Sequence, residues 1–101
     1  MLTHIVWWTI TDTADGKSAE DNARRIKADL EALRGRVPSL RELTVGFELL
    51  PTSTEQASLV LVTRHDDAEG LAAYAAHPEH QKIAALLKEA ASSRKAIDFV
   101  D

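Results

Sequence analysis

A chain of 101 residues accommodates one domain of ordinary size and no second independent core. Its net charge of −4, from 12 Lys and Arg against 16 Asp and Glu, argues against a nucleic-acid or anionic-membrane binder, because neutralising phosphates takes a concentrated basic face. With no cysteine, disulfides, thiolate metal sites and cysteine nucleophiles are excluded; with so many of the apolar residues alanine, the core is thin, and a partner subunit would complete its burial.

Leu2 to Ile10 reads as the first strand, with Leu2, His4, Val6, Trp8 and Ile10 alternating against Thr3, Ile5, Trp7 and Thr9. Both faces carry large apolar groups, so the strand should be central and covered on both sides. Ser18 and Asp21 resemble a capping box, and Ala19, Ala23, Ile26, Leu30 and Leu33 form the apolar stripe of the helix that follows. Gly35 suits the left-handed position after its end, and Pro38 stops it. Leu40 to Leu50 predicts a second strand and Leu59 to Thr63 a third. Asp66 or Asp67 caps a short helix through Ala75, which His77-Pro78 breaks; Pro78 then begins another, with Ile83, Leu86, Leu87 and Ala90 as its stripe. Ser92-Ser93 should end that helix, and Ala96 to Val100 makes a fourth strand.

The order β-α-β-β-α-β, with its second helix broken, predicts an α+β ferredoxin-like protomer: a four-stranded antiparallel sheet with helices on one face, filling residues 1–101. One strand register gives the other face Ile5, Trp7, Val60 and Val62, too much apolar surface to leave wet. A homodimer through that sheet face is the simplest remedy. No basic segment followed by an apolar run opens the chain, and no stretch approaches the ~20 apolar residues of a membrane span, so a cytoplasmic protein without membrane partners is expected.

The segment Tyr74-Ala75-Ala76-His77-Pro78-Glu79-His80 is the most informative for chemistry. With Pro78 first in the helix, His77 takes the cap and His80 sits among unpaired backbone N–H groups at the positive end of the helix dipole, a field that disfavours imidazolium. A neutral His80 suits a general base, with Tyr74 as donor or orienting group. The bland alternative is a hydrogen bond between them across the helix break. His4 shares a strand face with Leu2, Val6 and Trp8, where a histidine is more often a satisfied core residue, and His65 at the end of the third strand should be partly exposed. The four histidines lack the spacing of a closed metal site. Phosphate-binding glycine loops and the nucleophile elbow of serine hydrolases are missing.

His4-Ile5-Val6, Val37-Pro38, Gly46, Leu59 to Val62, Leu71-x-x-Tyr74-x-x-His77-Pro78-x-His80 and Arg94-x-x-x-Asp98-Phe99 together resemble the stress-responsive α/β-barrel (Dabb) family across nearly the whole chain. The resemblance implies a ferredoxin-like protomer that pairs with a second copy into a barrel-like dimer. It further implies, from a polyketide cyclase of that family that makes olivetolic acid, chemistry without a cofactor in which Tyr74 and His80 are catalytic. His4, His77 and Leu59 would then lie at the ligand, Leu59 standing where that cyclase carries a further histidine. Three readings follow: a cofactor-independent enzyme or binder of a small, largely apolar or aromatic ligand; a non-catalytic stress or accessory dimer; and a relative of the antibiotic-biosynthesis-type monooxygenases.

Overall fold

The computed structural model describes residues Met1 to Asp101. Seven elements follow one another: β1 (Leu2–Ile10), α1 (Ala19–Glu31), β2 (Glu42–Gly46), β3 (Leu59–His65), α2 (Ala68–Ala76), α3 (Pro78–Ala90) and β4 (Ala91–Val100). The strands form one antiparallel sheet in the order β2-β3-β1-β4, and this ferredoxin-like topology, with its second helix in two pieces, is the one the sequence predicts. β1, the strand with apolar groups on both faces, is central.

Register settles which side chains meet the helices. Leu2, His4, Val6, Trp8 and Ile10 are buried along one face of β1, as are Leu59, Leu61, Thr63 and His65 along β3, whereas Ile5, Trp7, Val60 and Val62 are only half-buried on the other face. The core forms where Val6, Trp8 and Ile10 of β1 and Leu59 and Leu61 of β3 meet Ala23, Ile26 and Leu30 of α1 and Ile83, Leu87 and Ala90 of α3. Each large side chain buried there contributes about 1.5 to 3 kcal/mol. The molecule measures 19 Å along its shortest axis, the depth of one sheet and one helical layer. Its second sheet face is therefore bare, and there Ile97 and Phe99 of β4 stay 55% and 43% exposed.

The caps agree with the residues expected to supply them. Ser18 Oγ accepts from Asp21 N at 3.1 Å, Asp67 Oδ1 accepts from Gly70 N at 2.8 Å, and His77 Nδ1 accepts from Glu79 N at 3.1 Å. Gly35 takes a φ of 79° in the turn after α1, a conformation that costs other residues strain.

Three expectations are corrected. β2 is confined to Glu42–Gly46, because only those residues have partners on β3. α3 passes into β4 at Ala91 without an intervening loop, so Ser92 and Ser93 are strand residues rather than a helix end. Thr11 pins this junction, its N–H and hydroxyl both donating to Ala90 O, at 2.7 Å and 3.0 Å. His65 is 0% exposed rather than a surface residue, since β3 extends two residues beyond Thr63 and keeps the alternation that turns it inward.

Candidate functional site

A cavity of about 420 Å³ opens between α3 and the helix-facing side of β1 and β4, within the ~300 to 1,000 Å³ range of small-molecule sites. Its walls are mainly apolar: Val6 and Trp8 from β1, Leu61 from β3, Leu30 from α1, and Ile83 and Leu87 from α3. Its polar groups are few and come from two sides. His4, Ser92, Ser93 and Arg94 come from the sheet, while His80 and Lys88 belong to α3.

The strand pairing that sets His4 opposite Asp98 places an acceptor-only carboxylate against the imidazole, so His4 Nδ1–H donates to Asp98 Oδ1. That bond orients the ring and keeps Nε2 without a partner in the chain, the usual way a carboxylate sets a histidine's tautomer. On the other side of His4, Thr63 donates its hydroxyl to His65 Nε2 at 2.9 Å, and His65 Nδ1–H donates to Ser39 O at 2.8 Å. His65 is thereby satisfied as a neutral ring, and its burial holds its pKa below the ordinary 6.5.

From His65 a row of rings leads to the cavity. Tyr74 lies 5.0 Å from His65 between centroids, and His80 lies 4.6 Å beyond Tyr74. Burial pushes the Tyr74 hydroxyl up to about 12, so it is a neutral donor at physiological pH rather than a base. Its oxygen is buried without a hydrogen-bond partner. His80 Nδ1–H donates to Ala75 O at 3.0 Å, which commits the neutral ring to the tautomer whose Nε2 carries a free lone pair. Burial is the leading cause that holds the His80 pKa below 6.5, and the nearby His4 and Arg94 act in the same direction.

The structure therefore brings His4 and His80 to one cavity. Tyr74 stands behind His80 and does not line that cavity. His77 is spent on capping α3, and Leu59 is fully buried in the core, also away from the cavity. Asp98, Arg94 and Lys88 were given no role from sequence. The signal for the first two is their alternate spacing on the last strand, which sets Asp98 beside His4 and Arg94 beside Trp8. For Lys88 it is the spacing of four that puts His80, Ala84 and Lys88 on one stripe of α3.

What this arrangement offers chemically is proton transfer at an apolar wall, from a neutral imidazole with a free Nε2. No three His, Asp or Glu side chains converge as a metal site. Ser93 at the rim donates to Thr9 Oγ1 at 3.1 Å rather than to a histidine, so it is not activated as a nucleophile.

No curated protein matches the chain in sequence. Solved structures do match it in fold. A dimeric protein of unknown function with a ferredoxin-like fold from Bacteroides fragilis is 26% identical, with a TM-score of 0.79 over 99% of this chain and 95% of that one. A hydroxynitrile lyase from Passiflora edulis is 14% identical, with a TM-score of 0.80 over 99% of this chain and 92% of that one. SnoaB, a cofactor-independent oxygenase from Streptomyces nogalater, is 16% identical, with a TM-score of 0.69 over 99% of this chain and 91% of that one. The model of the stress responsive A/B barrel domain matches residues 2–101, and the chain belongs to that family.

Proposed function

We propose that this protein is a homodimer in which each protomer binds a small, largely apolar molecule between α3 and the sheet and acts on it without a cofactor, with His80 as the general base. The observation that carries the reading is the His80 ring on an apolar cavity, its Nδ1–H committed to Ala75 O and its Nε2 unpartnered. Tyr74 packs against that ring and acts as a positioning residue. His4, oriented by Asp98, presents its own Nε2 to the polar part of the ligand. An aldol-type cyclisation of a polyketide-like chain, which begins with removal of a proton beside a carbonyl, is one reaction such a site suits. The same fold serves a cofactor-independent oxygenase and a hydroxynitrile lyase.

Dimerisation is supported by the uncovered apolar sheet face and by the dimeric ferredoxin-like protein from Bacteroides fragilis. The catalytic reading is tested by exchange. A panel of aryl ketones is incubated with the protein in deuterium oxide, and deuteration of the carbon beside the carbonyl is followed by NMR. Faster exchange with the native protein than with His80→Ala supports it, and equal rates across the whole panel contradict it. The non-catalytic reading draws on the same His80 to Ala75 bond, which also ties the start of α3 to the end of α2.

A further inference from the structure

Most lysines and arginines of this acidic chain lie within 4.0 Å of a carboxylate. Lys88 and Arg94 are exceptions, yet both line the cavity, and no Asp or Glu lines it with them. Asp98, further along β4, is committed to His4. The cavity is therefore cationic although the chain is anionic.

The charges also have a direction. Lys88 lies two turns along α3 from His80, a rise of about 12 Å, and Arg94 pairs with Trp8 on β1 while His4 lies four residues earlier on that strand. One end of the cavity thus holds the two imidazoles, the other end holds two unpaired cations, and Val6, Trp8, Ile83 and Leu87 lie along the apolar walls.

We infer that the ligand is an elongated apolar carboxylate, its carboxylate held by Arg94 and Lys88 and its far end presented to His80 and His4. Arg94 supplies the planar fork that pairs two N–H groups with a carboxylate, and Lys88 adds a mobile point charge. Both side chains are exposed at the rim, so the gain is moderate and salt-dependent. The inference deepens the function proposed above and rests on it.

Calorimetric titration with 2-naphthoate and its neutral isostere 2-naphthamide tests it, with the Trp8 and His80 resonances reporting where each binds. At low salt the acid should bind about tenfold more tightly than the amide, and the preference should shrink as salt is added. In the double variant Arg94→Gln with Lys88→Gln the two compounds should bind alike, at the amide's affinity for the native protein. Circular dichroism checks that the variant is folded, and Arg94→Lys with Lys88 intact, which keeps the charge, should retain part of the preference. Equal binding of acid and amide to the native protein, or a preference that survives the double substitution, overturns the carboxylate inference while leaving the apolar cavity as a ligand site. Failure of both compounds to perturb Trp8 or His80 overturns the inference together with the reading beneath it.

Discussion

The rings of Tyr74 and His80 lie 4.6 Å apart between centroids and are tilted by 57°, so the buried tyrosine backs the histidine that reaches the cavity. The Tyr74 hydroxyl is buried without a partner, an arrangement that costs stability. Tyr74→Phe keeps the ring contact and removes the orphaned group, so stability should be unchanged or rise by up to about 1 kcal/mol. Tyr74→Ala should lose about 3 to 5 kcal/mol through the void it opens. Urea melts of the two variants check this. A loss of more than about 2 kcal/mol in Tyr74→Phe would show that the hydroxyl is satisfied in solution.

His80→Ala separates the catalytic role from the structural one. Ala75 O accepts from Gln81 Nε2 at 2.6 Å as well as from His80, so the carbonyl keeps a partner when the imidazole is removed. The variant should lose no more than about 1 kcal/mol and all proton-exchange activity. A strongly destabilised variant with unchanged exchange rates would make His80 a structural staple instead.

His65 and His80 both titrate below 6.5 in the folded protein, chiefly because they are buried. The unfolded chain takes up these protons at higher pH than the folded one, so the stability they contribute is complete above about pH 6.5 and is lost as pH falls through the folded values. The urea midpoint should therefore drop between about pH 7 and about pH 5, with a shallower slope in His80→Gln. A midpoint that rises on acidification would contradict the neutral, buried assignment.

Ile97 and Phe99 are the most exposed large apolar groups on the outer face of β4, and they pair with Ile5 and Thr3 of β1. If that face joins two protomers, burying about 1,600 Å² or more in total, Ile97→Asp and Phe99→Asp should each place a charge in the interface. Sedimentation should then give a dimer for the native chain and a monomer for the variants. A native monomer at micromolar concentration refutes the dimer.

The fold was legible because the local signals agree with one another: two-faced apolar alternation in β1, caps at Ser18 and Asp67, and Pro78 restarting a helix. The signals that failed depend on the other side of a contact. His65 reads as a strand end until the Tyr74 ring of α2 and the Ser39 carbonyl close over it. The cap at His77 and the bond from His80 to Ala75 are short-range and could be anticipated, whereas the pairing of His4 with Asp98 joins residues 94 positions apart and exists only through the β1 to β4 register. The same holds for Arg94, whose place beside Trp8 follows from that register alone. Tyr74 and His80 are neighbours in sequence and in space, yet only packing decides that one lines the cavity and the other stands behind it.

The most direct test of the account is nitrogen-15 NMR of the His80 ring across pH, first alone and then with 2-naphthamide. The expected result is a neutral ring protonated at Nδ1, a pKa below 6.5, and a shift of Nε2 when the apolar compound enters the cavity. A ring that titrates at or above 6.5, carries its neutral proton on Nε2 and ignores the added compound would contradict it.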